Sequence, residues 1–263
     1  MKSISIAFGL ALLGFGASAS AQYSRFYDNF RSGTLDPARW TSAGWGAMCT
    51  QPTTLECVRE IRHGQLNLGV RTVGDASSNQ GITYDQSYIN FVNPAAVRSI
   101  EMRLVIPAAS ASGCAANSVT PSSHVILAGR FFNSGSGLAA DDVDANLLIG
   151  TDSAGVPQAS GYLYTNGVFF GTVYLGPVAI GEVVNVSMRW DPSNSQFVFS
   201  LLRASGQTVV MAAPYSQTNA LPAVNPWRQI GVRNFVANCI GKQTVNQIQA
   251  TVDHVVVNSA ATP

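Results

Sequence analysis

The sequence predicts an all-β domain built as a sandwich of two antiparallel sheets. Short segments rich in Val, Ile, Phe and Tyr recur along the chain, and Gly, Pro, Asn and Ser separate them. Helical periodicity is nearly absent, so these segments are interpreted as strands. Eleven or more strands with turn signals between them are typical of two packed sheets.

The predicted strands follow one another with short connections and without a linker, a heptad pattern or an internal repeat. In chain order they are 64–72, 97–106, 123–133, 143–150, 160–167, 168–175, 183–190, 195–202, 208–213, 228–236 and 250–257. In the last of these, strict alternation places Asp253 on the same face as Val255 and Val257, as one carboxylate in an apolar row.

The first residues predict an export signal. Lys2 precedes an apolar run, and the small residues Ala19 and Ala21 form a cleavage site. We therefore expect a signal peptide over 1–21, one sandwich domain over 22–263, and a secreted or periplasmic protein. No later stretch is apolar enough over about 18 residues to predict a membrane span.

The composition gives no indication of nucleic acid or an anionic membrane surface as a partner. The formal net charge is +1, and only 11% of the residues are charged, against about 25% in typical domains. A nearly neutral chain lacks the basic surface that nucleic acid requires. We expect a monomer with no nucleic-acid partner.

Four cysteines in an exported chain predict disulfides. Three pairings are possible, and we favour Cys49–Cys57, which closes a short loop, with Cys114–Cys239. A metal site is the weaker alternative, because the chain has no C-x-x-C pair and its three histidines lie far apart.

Four segments resemble the concanavalin A-like lectin/glucanase superfamily, which includes glycoside hydrolase family 16. "FYDNFRSGTLDPARW" (26–40) resembles the opening strand of these proteins, and "HGQLNLGVRT" (63–72) resembles the Gly-x-Leu-x-Leu strand that follows. "VRSIEMRLVIPAAS" (97–110) and "VDHVVV" (252–257) are similar to a central strand and the closing strand. The resemblance implies a jelly-roll sandwich of two curved sheets, one of them concave.

The resemblance also implies a structural calcium ion on the convex side. Its ligands would be the side chain of Asp253 and the backbone carbonyls of Asn29 (or Asp28) and Gly64. Calcium prefers such hard oxygen ligands. The alternative is that Asp253 faces solvent or pairs with an arginine.

The catalytic pattern of family 16 is missing. The family carries Glu-x-Asp-x-x-Glu on one strand, and none of the four glutamates of this chain stands in that pattern. The nearest approach places Asp142 and Asp144 at the first two positions and Leu147 where a proton donor is required. This departure weighs against family 16 chemistry.

Several other polar residues are weaker catalytic or ligand candidates. Asp142 and Asp144 share a strand face. They could bind a metal, bind sugar hydroxyls or act as a weak acid/base pair, or they could form a solvated entry to the strand. Glu101 is interpreted as structural, with catalysis as the alternative. Arg130 either pairs with a carboxylate, as buried arginines usually do, or binds an anionic sugar. His124 has no sequence context that marks it as a base.

Aromatic residues supply the remaining binding candidates. Trp45 lies in a glycine-flanked loop, and Tyr162 and Tyr164 share a strand face. They could stack on sugar rings, or pack across strands. The sequence thus favours a lectin-like protein that binds carbohydrate, expected to be polysaccharide. A hydrolase or lyase using Asp142, Asp144 or Glu101 is one alternative, and a structural or protein-interaction domain is the other.

Overall fold

A computed structural model describes residues 25–41, 49, 52–151 and 155–258 of the chain. The described residues form fifteen strands and three short 3-10 helices. The strands are β1 (Arg25–Asp28), β2 (Trp40–Thr41), β3 (Thr54–Arg62), β4 (Gln65–Val73), β5 (Ile82–Phe91), β6 (Ser99–Ser110), β7 (Ser122–Asn133), β8 (Asp142–Thr151), β9 (Gln158–Thr165), β10 (Val168–Pro177), β11 (Val183–Asp191), β12 (Gln196–Arg203), β13 (Thr208–Pro214), β14 (Leu221–Ala237) and β15 (Val245–Val257). The helices are Pro94–Ala96, Ala139–Asp141 and Pro192–Asn194.

The strands form two antiparallel sheets, as the sequence predicted. The eight-stranded sheet has the order β13-β12-β11-β6-β15-β4-β3, with β1 paired to β15. The seven-stranded sheet has the order β10-β9-β8-β7-β14-β5-β2. Strands distant in sequence lie side by side, such as β6 beside β15 and β7 beside β14, so long-range pairing determines which side chains meet.

The core lies between the two sheets because apolar residues occupy every second position of the strands. In β6, Met102 and Leu104 are buried, while Glu101 and Arg103 point outward. In β8 the core-facing residues are Val143, Ala145, Leu147 and Ile149. The intervening residues of β8, which include both predicted aspartates, therefore lie on the outer face of the seven-stranded sheet.

A β-bulge in β15 overturns the alternation predicted for the closing strand. The pairing with β6 shifts between Val252 and His254. Val252 and Val255 are both fully buried as a result, and Asp253 leaves the apolar row for the outer face of the eight-stranded sheet. A bulge inserts one extra residue and changes the phase of the strand, which the sequence pattern did not reveal.

Two disulfides join Cys49 to Cys57 and Cys114 to Cys239, which is the pairing favoured from the sequence. The second bond links residues 125 positions apart and ties the segment before β7 to the end of β14. Within the described ranges, no helix has the length and apolar character needed to cross a membrane.

Candidate functional site

A pocket of about 440 Å³ lies on the outer face of the seven-stranded sheet. Residues of β2, β5, β7, β8 and β14 line it. Its polar lining consists of Thr41, Tyr84, Gln86, Asn90, Asp144, Asn146, Trp227, Gln229 and Arg233. We call this cavity the sheet pocket. It opens away from the core and is rich in groups that form hydrogen bonds.

Asp144 is the carboxylate that lines the sheet pocket, and Arg130 neutralises it. The Arg130 Nε donates to Asp144 Oδ1 at 2.7 Å, and Nη2 donates to Oδ2 at 3.2 Å. The two residues stand directly opposite each other on β7 and β8. Burial raises the pKa of the Asp144 carboxyl, and the bond to Arg130 opposes that rise. The carboxylate partner expected for Arg130 is thus present.

Asp142 shares the face of Asp144, as predicted, but its carboxylate serves the backbone of β14. It accepts hydrogen bonds from the Asn133 side chain at 2.8 Å and from the backbone N–H groups of Val224 and Asn225 at 2.9–3.1 Å. Its distance to an Arg130 nitrogen is 3.9 Å. The side chain is fully buried, so Asp142 holds the pocket wall and does not line the cavity.

The structure does not bring Glu101 to this pocket. β6 belongs to the eight-stranded sheet, and Glu101 is on its outer face, with the core between it and Asp144. A catalytic pair of Glu101 with either aspartate is therefore ruled out by the topology.

Three polar atoms in the sheet pocket are buried and have no hydrogen-bond partner among the described residues. They are Asn146 Oδ1, Trp227 Nε1 and Arg233 Nε. Buried polar groups normally have partners, so each such atom calls for an explanation such as a bound ligand. Asn146 and Arg233 were not among the residues predicted from the sequence. Alternation along β8 and β14 could have indicated them, because a residue between two core residues of a strand lies on the outer face of the sheet.

The predicted calcium ligands meet in a second cavity, of about 600 Å³, on the outer face of the eight-stranded sheet. Asn29, Gly64 and Asp253 all line it, together with Arg103. Asp253 Oδ1 is buried and has no partner among the described residues, while Oδ2 lies 3.3 Å from an Arg103 nitrogen. The contact with Arg103 is the arginine pairing that was the alternative to calcium for Asp253. The remaining Oδ1 is a hard oxygen of the kind that calcium binds. Within the described ranges, no cluster of three His, Cys, Asp or Glu side chains was found that could hold a metal.

Comparison with known proteins identifies the fold. No family model and no curated protein matches the sequence. The structure is similar to a GlcNAcα1-4Gal-releasing endo-β-galactosidase from Clostridium perfringens, with a TM-score of 0.54 and 12% identity over 89% of this chain. It is also similar to a Bacillus licheniformis β-glucanase, with a TM-score of 0.52 and 16% identity over 91% of this chain and 99% of that chain. The fold is concanavalin A-like.

The comparison supports the fold and leaves the activity open. This chain spans 62% of the length of the endo-β-galactosidase. A structure described as a native glycosidic hydrolase has a TM-score of 0.51 and 12% identity over 92% of this chain and 97% of that chain. Because a fold hosts many functions, the site itself must carry the functional argument.

The predicted tyrosine pair lies on the outer face of the seven-stranded sheet, the face that carries the sheet pocket. The rings of Tyr162 and Tyr164 are stacked, with centroids 6.3 Å apart, and Phe169 packs against both. The pair is therefore an aromatic surface that also serves cross-strand packing. Trp45, the other predicted platform, lies outside the described residues.

His124 is also on this face of the seven-stranded sheet, and its surroundings favour the neutral imidazole. Burial, with a smaller contribution from the Arg233 charge, lowers its pKa to about 3. A side chain at Gly150 would collide with the imidazole, since an added Cβ would lie 1.9 Å from a ring carbon. The neutral ring packs over Gly150, which indicates a structural role.

Proposed function

We propose that this protein is a secreted or periplasmic lectin-like protein that binds carbohydrate in the sheet pocket and does not cleave it. The observation that carries this proposal is the pocket's content: one carboxylate, paired with an arginine, beside three buried polar atoms without partners among the described residues. Sugar hydroxyl groups both donate and accept hydrogen bonds, so they match the unpartnered acceptor of Asn146 and the unpartnered donor of Trp227.

The carboxylates support binding over hydrolysis. Glycosidases canonically use two carboxyl groups, about 5–5.5 Å apart in retaining enzymes and about 6.5–9.5 Å apart in inverting enzymes. Here Asp144 is held by Arg130, and Asp142 accepts hydrogen bonds from β14 and Asn133. Both carboxyl groups therefore already have partners within the protein, and neither is a free acid beside the pocket. The similarity to an endo-β-galactosidase and a β-glucanase supports a carbohydrate ligand, and the two disulfides support an oxidising compartment.

Asn146→Ala is expected to weaken glycan binding about 5–10-fold, because it removes one hydrogen bond from the ligand. The binding glycan is first found on a panel of neutral and acidic polysaccharides, and affinity is then measured by titration calorimetry. Asn185→Ala is the matched control, since Asn185 lies on the outer face of the other sheet.

Three results would contradict the proposal. Binding unchanged in Asn146→Ala would place the ligand elsewhere. Release of reducing ends or unsaturated products, lost in Asp144→Asn, would make the protein a hydrolase or lyase. A panel with no bound glycan, together with a stable protein complex from secreted fractions, would favour the protein-interaction alternative.

We also propose that Asp253, with the backbone carbonyls of Asn29 and Gly64, holds a structural calcium ion. The ion would join the first and last strands of the domain through the oxygen atoms of these residues. At a calcium concentration 100 times its Kd, the expected stabilisation is about 2.7 kcal/mol.

Calcium is therefore expected to raise the melting temperature by several degrees and excess chelator to reverse the change. Asp253→Asn should abolish this response. Glu56→Gln, which removes an exposed carboxylate paired with Arg71, should retain it. The measurement is thermal unfolding with and without calcium. An identical transition in calcium and in chelator would rule the site out.

A further inference from the structure

We propose that Arg233 binds an anionic group on the sugar, either the carboxylate of a uronic acid or a sulfate ester, so that the sheet pocket selects acidic polysaccharides. This inference rests on the proposed function, since it specifies the class of carbohydrate that the same pocket binds. It is argued from two features of the Arg233 side chain, which is buried and has no carboxylate partner among the described residues.

Arg233 is a buried cation that has no carboxylate partner among the described residues. It lines the sheet pocket, its Nε has no hydrogen-bond partner, and no ion pair involves it within the described ranges. Its guanidinium lies 5.0 Å from the centre of the Phe235 ring and donates to the Tyr84 hydroxyl. Burial lowers its pKa. A buried charge without a counter-ion is costly to the folded state unless a ligand supplies one.

Among the described residues, three other arginines with largely buried side chains have partners, which sets Arg233 apart. Arg130 is paired with Asp144, and Arg203 donates to Glu182 at 2.8 Å. Arg228 donates to the backbone carbonyls of Val97, Arg130 and Trp227, and its guanidinium packs 3.5 Å from the centre of the Phe131 ring. These three arginines therefore have partners within the fold, whereas Arg233 lines the pocket without a carboxylate partner among the described residues.

The groups around Arg233 supply no negative charge. Burial raises the pKa of the Tyr84 and Tyr164 hydroxyls, so both remain protonated. Tyr162 also lies close enough to interact with the charge, and the buried His124 is neutral. Asp144 is in the same pocket, but Arg130 holds it. An incoming anion thus meets an unneutralised positive charge in a desolvated setting.

The chemistry of the guanidinium indicates the kind of anion. Its planar set of N–H donors matches a carboxylate or a sulfate through two parallel hydrogen bonds. The Nε of Arg233 is a buried donor that has no partner among the described residues, and the Arg233 side chain belongs to the pocket lining. Asn146 and Trp227, in the same pocket, offer an acceptor and a donor to the ring hydroxyls. Together these groups fit a sugar that carries both hydroxyls and an anionic substituent.

The test compares acidic sugars with matched neutral forms. The probes are oligogalacturonate and its fully methyl-esterified form, and an oligosaccharide of sulfated galactan and its desulfated form, each titrated into the wild-type protein. We expect one acidic probe to bind at least about 30-fold more tightly than its neutral counterpart. The pair that shows the difference identifies carboxylate or sulfate as the anion.

Arg233→Gln should remove this preference, and Arg62→Gln, which deletes a charge from the exposed edge strand β3 of the other sheet, should keep it. If Arg233→Gln does not fold, the comparison of acidic and neutral probes on the wild-type protein decides. Equal affinity for the acidic and neutral forms would overturn this inference while leaving the lectin-like function intact. Absence of binding to every glycan would instead refute the proposed function.

Discussion

Replacing both Cys114 and Cys239 with Ala should lower the free energy of unfolding by about 4–5 kcal/mol. The bond joins residues 125 positions apart, and the loss of chain entropy in the unfolded state grows with the length of the closed loop. Cys49 and Cys57 are only 8 positions apart, so the same replacement there should cost about 2–3 kcal/mol. Urea unfolding of the two double variants measures both values.

The long disulfide also supports local structure that these variants would disturb. The Asn117 side chain donates to the backbone carbonyls of Gly81 and Asn238, each at 2.9 Å. These bonds attach the segment after Cys114 to the ends of β5 and β14. Equal destabilisation by the two double variants would contradict the loop-entropy argument and would show that local contacts dominate.

Asp142→Ala should destabilise the protein by about 3–4 kcal/mol and also weaken ligand binding. The substitution leaves the backbone N–H groups of Val224 and Asn225 and the side chain of Asn133 without their acceptor. Removing one partner from a buried, charged hydrogen-bond network costs more than the average hydrogen bond. The wall of the sheet pocket at Pro226 and Trp227 follows directly after these residues.

Asp141→Ala is the matched control for this prediction. Asp141 is adjacent in sequence, and its side chain is less buried than that of Asp142, so its loss should change stability by less than about 0.5 kcal/mol. Urea unfolding and glycan titration give both quantities. An Asp142→Ala variant as stable as Asp141→Ala would show that the carboxylate does not hold the β14 segment.

The sequence predicted those parts of the fold that depend on local pattern. The alternation in β8 placed Asp142 and Asp144 on one face, and the structure agrees. The resemblance of four segments to concanavalin A-like proteins predicted the sandwich, and the similarity of the whole structure to a β-glucanase confirms that fold. Local pattern failed at Asp253, because a bulge shifts the phase of a strand without a distinct residue signature.

The site was less predictable because it depends on which strands become neighbours. Glu101 and Asp144 both lie on strands with one buried and one outward face, and only the topology shows that they belong to different sheets. The pairing of β14 with β7 and β5 brings Arg233 to the pocket, opposite His124 and Gln86, which are both more than 100 residues away in the chain. Asn146 and Trp227 are ordinary outward residues until that pairing forms the cavity.

The most direct test of a pocket that binds glycan without cleaving it is one titration followed by analysis of the recovered ligand. A purified oligosaccharide that binds is titrated into the protein by calorimetry, incubated, and then examined by mass spectrometry. We predict saturable binding that Asn146→Ala weakens and a ligand of unchanged mass. Shortened or unsaturated oligosaccharides that disappear in Asp144→Asn would contradict the account.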